Sequence, residues 1–140
     1  MHYGPMTPGE QELRLLGNVE GRDILEIGCG GGQNAIVLAK WGARSVGSDL
    51  SEEQVKYALN LARKQKVTIP FHVGNMENMD MFNEESFDIV LSSCAIGYSE
   101  NPGQVFNEVF RILRRDGLFV FCVMHPIALR GRLVRCARVW

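Results

Sequence analysis

Apolar residues along this chain switch between short runs or alternations of strand length and longer stretches spaced at three and four. Asp23 to Ile27 is a brief apolar run interrupted only by Glu26, and it predicts a strand. Gln33 to Trp41 is apolar nearly all round, which predicts a helix buried against a sheet and ended by Gly42. Arg44 to Ser48 predicts a second strand, stopping at Asp49. Ser51 and Gln54 have the spacing of a capping box, and Val55, Ala58, Leu59 and Ala62 then form one helical face up to about Lys64. Val67, Ile69, Phe71 and Val73 alternate with Thr68, Pro70 and His72, a third strand that Pro70 consigns to an edge by removing a ladder donor. Phe87 to Ser92 predicts a fourth strand. Asn101-Pro102 opens a helix whose expected buried stripe is Phe106, Val109, Phe110 and Leu113. Asp116-Gly117 turns the chain into Leu118 to Met124, seven consecutive apolar residues composed for a strand buried on both faces.

Three segments are less regular. Thr7-Pro8-Gly9-Glu10 has capping-box spacing with proline at the first helical position, and predicts a short helix to about Leu16. Gly74 to Glu85 is polar and methionine-rich, with one helical turn expected inside it. Leu133, Cys136, Ala137 and Trp140 share helical spacing, so the tail is expected to form a short helix over the edge left open by the fifth strand. Strands alternating with helices require right-handed crossovers. The fold class is therefore α/β, a doubly wound, mainly parallel Rossmann-like sheet of about five strands.

Composition narrows this little. At 140 residues the chain is long enough for one domain, residues 1–140, with 127–140 as a basic C-terminal tail. Net charge is −1, and the tail holds four arginines and no acid, so the rest carries five net negative charges. No global basic field points to a nucleic-acid or membrane partner. Cys29, Cys94, Cys122 and Cys136 form no C-x-x-C pair and lie in or beside apolar segments, which speaks for reduced thiols rather than disulfides or a metal site. With no apolar run approaching a membrane span and no basic-then-apolar start, a cytoplasmic location is expected.

The unusual residues gather where the predicted strands end. In a doubly wound sheet the binding crevice lies beyond the carboxyl ends of the strands, where strand order reverses. Gly28, Gly30 and Gly32 follow the first strand, Asp49 the second, Gly74-Asn75-Met76 the third, Ser93-Cys94-Ala95 the fourth and His125 the fifth. Glycines at such a turn permit positive φ and close approach of a ligand, and the helix that follows presents unpaired N–H groups. Asp49 comes about twenty residues later, the distance at which a carboxylate can accept hydrogen bonds from ribose hydroxyls. A nucleoside ligand is implied, either a dinucleotide or an adenosyl donor. The dinucleotide phrase G-x-G-x-x-G places Gln33 where its third glycine belongs.

Glu-x-Gly-x-Gly-x-Gly, from Glu26 to Gly32, instead resembles motif I of the class I S-adenosylmethionine-dependent methyltransferases. The resemblance continues through Val46 to Ser51, the family's acidic second-strand segment, through Phe87 to Ser92, its fourth strand, and through Arg111 to Leu118, its R-x-L-x-P-G-G region. It implies S-adenosylmethionine as donor. Glu26 would order the loop and face the methionine amino group, directly or through water. Gly28, Cys29 and Gly30 would floor the amino-acid and ribose parts, Asp49 would hold the ribose hydroxyls, and Leu50 would lie against the adenine. Asn75 stands where the family usually has Asp, and it or the Met76 backbone would bond the adenine edge. Ser93 and Cys94 would border the methionine moiety. The family also implies a seven-stranded sheet, so this chain is expected to be incomplete, truncated after its fifth strand.

Methyl transfer from a sulfonium needs orientation and water exclusion more than a dedicated base. His125 is a candidate to deprotonate an acceptor, Tyr98 to contact it, and Tyr3 to belong to an N-terminal lid. Ser92-Ser93-Cys94-Ala95 stands where methyltransferases of nucleic-acid amino groups show Asn/Asp-Pro-Pro-aromatic, and no Pro-Cys nucleophile is present, so a small-molecule acceptor is expected. Two alternatives remain: a donor-binding domain with little or no turnover, and a nicotinamide-dinucleotide-binding protein. The exposed edge of the fifth strand would invite a second copy of the chain to pair there.

Overall fold

The computed structural model describes residues 1–4, 8–124 and 134–139. In chain order the elements are α1 (Glu10–Leu13), β1 (Asp23–Ile27), α2 (Gln33–Lys40), β2 (Arg44–Asp49), α3 (Glu52–Lys64), β3 (Phe71–Val73), β4 (Phe87–Ser93), a 3₁₀ turn (Ile96–Tyr98), α4 (Pro102–Ile112), β5 (Leu113–Met124) and β6 (Val134–Val139). They build one sheet in the order β3-β2-β1-β4-β5-β6. The first five strands are parallel and β6 runs antiparallel to β5. From β1 the chain winds outward through β2 to β3, then returns to lay β4 on the other side of β1. The carboxyl ends of β1 and β4 therefore flank the switch point.

Alternation along the strands sorts side chains to two faces. Leu25, Val90 and Phe119 meet Val105, Val109 and Ile112 of α4, with Met79 and Phe82 closing that core. On the opposite face Ile24, Leu91 and Val120 meet Leu38 of α2 together with Tyr3, Leu16 and Val19. Helices thus cover both faces, the expected doubly wound arrangement. Among the described residues no helix is long and apolar enough to cross a membrane.

Several elements depart from the periodicity. The buried residues of α4 are Val105, Glu108, Val109 and Ile112, whereas Phe106 is part-exposed and Phe110 is 84% exposed. The stripe is rotated by one residue, and the physical reason is polar. Glu108 accepts the Met79 N–H at 2.7 Å and pairs with Arg111, whose guanidinium donates to the carbonyls of Met79 and Phe82 at 3.0 Å each. Charged side chains occupy the buried face because they bind the backbone of the loop packed across it. That loop, expected to hold a helical turn, holds two tight turns closed at Asn75–Asn78 and Met79–Phe82. Helix α1 stops at Leu13, short of Leu16, and its N-cap Gly9 offers no side chain. Glu10 supplies the reason: its carboxylate takes the N–H groups of Leu15 at 2.9 Å and Leu16 at 2.9 Å and the hydroxyl of Tyr3, drawing the chain out of helix. Thr7 lies outside the described residues.

Two corrections concern sheet edges. Strand β3 is confined to Phe71–Val73 at the edge, starting directly after Pro70. At the other side Val134–Val139 is a strand, where helical spacing predicted a helix, and it pairs with Phe119 through Met124. An isolated helix of this length is marginal, while an open strand edge offers a complete ladder of backbone partners. The fifth strand is consequently not the edge, and the site expected to receive a second copy is taken by the chain's own β6. Asp116-Gly117, expected as a turn before β5, forms a bulge within it: pairing jumps from Phe87↔Leu113 to Ile89↔Leu118, with Asp116 at φ 62°.

Candidate functional site

The sequence places glycines where the backbone must turn sharply away from β1. Gly28, Gly30 and Gly32 have φ of 62°, 51° and 72°. At Gly28 an added Cβ would stand 2.2 Å from the Cβ of Ala95, just past β4. The two loops flanking the switch point therefore approach more closely than any side chain at position 28 permits.

Gly32 is the N-cap of α2 and carries no capping side chain. Glu26, one strand residue behind the loop, fills that role: its carboxylate accepts the Ala35 N–H at 3.0 Å and the Asn34 side-chain amide at 3.0 Å. It is 2% exposed, and burial raises its pKa to about 7 against the two hydrogen bonds, with Asp49 also raising it. Asn34 in turn clasps the backbone of His2, donating to its carbonyl at 3.0 Å and accepting its N–H at 3.2 Å. The N-terminal segment is tied down a second time where the Ser93 hydroxyl donates to the Tyr3 carbonyl at 2.6 Å. Tyr3 itself is wholly buried in the core, its hydroxyl donating to Glu10, so its ring is not a lid over the cleft.

Asp49 draws the second strand end to the first loop. One carboxylate oxygen accepts the Gly30 N–H at 2.7 Å and the other the Ser51 N–H at 2.9 Å. Each oxygen has two lone pairs, so acceptor capacity remains toward the cleft. Ser51 caps α3 by accepting the Gln54 N–H, as its spacing predicts.

These loops surround a cavity of about 550 Å³. Of the residues singled out from sequence, Gly28, Gly30, Asp49, Leu50, Asn75, Met76, Ser93, Cys94 and Tyr98 line it. Leu50 and Tyr98 present their side chains at 70% and 83% exposure, apolar and aromatic surfaces without intramolecular cover. Glu26 and Cys29 are not brought to the wall: Glu26 anchors the loop from behind, and Cys29 is buried beneath it beside Gly47. Burial, with the nearby Glu26 and Asp49 carboxylates, pushes the Cys29 thiol far above its ordinary pKa, which leaves it a packing residue. His125 lies outside the described residues. Ala95, expected on the rim after the fourth strand, lines the cavity too, whereas sequence reasoning missed Gln54, Glu77, Ser99 and Glu100. Gln54 stood in view as the last residue of the capping box; nothing in local spacing marked the others.

The described lining contains three carboxylates, Asp49, Glu77 and Glu100, and no lysine, arginine or histidine. No group of three or more metal-ligating side chains occurs among the described residues. The cleft is thus suited to a nucleoside-sized ligand that is neutral or cationic, with a carboxylate for a diol and apolar surface for a ring.

Comparison with known proteins agrees with this geometry. A methyltransferase-domain family model matches residues 25–121. An uncharacterized methyltransferase of Bacillus subtilis, YbaJ, is 33% identical over 109 residues, covering 78% of this chain and 43% of that protein. A ubiquinone biosynthesis O-methyltransferase of Maricaulis maris is 33% identical over 121 residues, covering 86% and 48%. Among solved structures, an S-adenosylmethionine-dependent methyltransferase from Mesorhizobium loti superposes with a TM-score of 0.73 at 31% identity, covering 82% of this chain and 52% of that one. The chain spans about half the length of the curated relatives it matches.

Proposed function

The chain belongs to the class I S-adenosylmethionine-dependent methyltransferases, and on that premise we propose that its switch-point cleft binds S-adenosylmethionine and presents the methyl group to a small-molecule acceptor. The observation that carries this reading is the convergence of Gly28, Gly30 and Asp49 on one cleft whose described charged residues are all acidic. Carboxylates repel a pyrophosphate and attract a sulfonium with its ammonium group, so the donor fits where a nicotinamide dinucleotide does not.

The residues present fit the donor in kind. Gly28 and Gly30, at positive φ, bring bare backbone to the wall of the cleft. Asp49 would accept from the ribose hydroxyls with the lone pairs that Gly30 and Ser51 leave over. Leu50 and Met76 would enclose the adenine, with Asn75 at its edge. Ser93 and Cys94 would border the methionine portion. Glu26 would act from behind the loop, through the start of α2. When bound, the sulfonium supplies an already activated methyl group, so transfer to an acceptor breaks its carbon–sulfur bond and leaves a neutral thioether. What the protein contributes is orientation and exclusion of water, worth about 7 to 11 kcal/mol of barrier in favourable cases. Tyr98 would meet the acceptor, since its exposed ring stands on the rim of the cleft. Oxygen as acceptor atom is part of the name of the Maricaulis maris relative and is said of that protein.

The second reading is donor capture without turnover. Isothermal titration with S-adenosylmethionine, S-adenosylhomocysteine and NAD separates the cases. Binding of the first two and not the third is expected; a folded sample that binds neither adenosyl ligand at about millimolar concentration overturns the proposal. Asp49→Ala should weaken donor binding by roughly ten- to hundredfold, the worth of hydrogen bonds to a charged acceptor. Transfer of labelled methyl across an acceptor panel then distinguishes enzyme from donor-binding unit.

A further inference from the structure

The wall of the cleft formed by Tyr98, Ser99 and Glu100 is held at two ends. At the near end the 3₁₀ turn closes it, Tyr98 N–H donating to the Ala95 carbonyl at 3.0 Å and Ser99 N–H to the Ile96 carbonyl at 3.0 Å. Beyond the turn Ser99 is extended, with φ −72° and ψ 145°, and the chain runs through Glu100 to the N-cap of α4, Asn101. At that far end one carboxylate oxygen of Glu77, on the loop after β3, accepts the Glu100 N–H at 2.7 Å and the Asn101 N–H at 3.1 Å. Glu77 is itself aimed by Asn75, whose side-chain oxygen accepts the Glu77 N–H at 2.9 Å. Asn75, Glu77 and Glu100 all line the cavity.

From this geometry we infer that Glu77 is a positioning residue that sets the width of the donor cleft by clamping the loop after β3 to the loop after β4. The inference rests on the donor-binding reading above. A carboxylate suits the task because its charge also faces the N-terminal end of α4, where unpaired N–H groups concentrate. A short two-point clamp between segments more than twenty residues apart leaves the intervening strand and turn free to be built for the ligand. Among the described residues no hydrogen bond given for Asp49 or the glycine loop joins this clamp, so the clamp acts on the donor site through placement of the wall.

The test uses the full chain as wild type, Glu77→Ala and Glu77→Gln, with S-adenosylmethionine affinity by calorimetry and amide hydrogen exchange. Glu77→Ala should lower donor affinity roughly tenfold or more, and Glu77→Gln, which keeps an acceptor oxygen, should restore most of it. Exchange at residues 98–101 should rise in Glu77→Ala while amides of β1 and β4 keep their protection. Unchanged donor affinity in Glu77→Ala overturns the inference, and so does a loss that only tracks global unfolding across all amides. If Glu77→Ala fails to fold, Glu77→Gln decides: a loss as large as that of Asp49→Ala, despite an intact clamp by exchange, rejects a purely positional role. A wild-type chain that binds no donor instead removes the donor reading itself, a result visible before any variant is made.

Discussion

Replacing Glu26 by glutamine turns its burial into a measurable quantity. The carboxyl titrates near pH 7 in the folded chain against an ordinary value of 4.5, because burial disfavours the charged form more than its two hydrogen bonds favour it. A raised folded pKa means that this group's contribution to stability is full below the unfolded pKa. It declines as pH rises and is lost once the folded pKa has been passed. Between about pH 5 and about pH 8.5 the linkage for a carboxyl raised this far comes to on the order of 2 to 3 kcal/mol of lost stability. Glutamine is nearly isosteric with the protonated acid and does not titrate, so Glu26→Gln removes that slope. The stability of Glu26→Gln relative to wild type, from urea melts without ligand at both pH values, should therefore improve by on the order of 2 to 3 kcal/mol on going to the alkaline buffer. The absolute difference at the acid pH carries a separate term, since a glutamine amide must avoid meeting the Asn34 amide donor to donor. A difference independent of pH refutes the argument: Glu26 would then be ionised throughout, or too well solvated to matter.

Further expectations rest on packing. Gly28→Ala sets a Cβ 2.2 Å from that of Ala95 at a positive φ, and should cost about 2 to 4 kcal/mol in denaturant melts from backbone strain and overpacking together. Gly21→Ala, also at positive φ but with nothing within 4 Å, is the matched control, and equal stability of the two would deny the close approach of the loops. Val109→Ala should cost about 2 kcal/mol while Phe110→Ala stays within about 0.5 kcal/mol of wild type. The reverse order would restore the helical phase read from sequence.

The loop-and-helix core of the site was legible because it depends on local chemistry. Gly28 and Gly30 turn at positive φ, Ser51 caps, and Asp49 ends its strand, so spacing alone placed them on one rim. Glu77 and Glu100 were not legible, since their membership in the cleft comes from a contact between loops distant in sequence. For Glu26 the sequence marked the position but not the contacts. Its place behind the glycines orders the loop, but only the folded structure shows that it does so by capping α2 in place of Gly32.

What the sequence determined by itself is the order and type of the main elements through β5 and the parallel, doubly wound sheet, because periodicity and turn residues act over a few positions. The tertiary structure alone decided which face of α4 is buried, where Glu108 and Arg111 displaced Phe106 and Phe110 by bonding the backbone of the 79–82 loop. It alone decided that residues 134–139 are a strand, because the open edge of β5 supplies hydrogen-bond partners that no local pattern records. Hydrophobic periodicity counts apolar side chains, whereas these outcomes were set by unpaired backbone groups finding partners far along the chain.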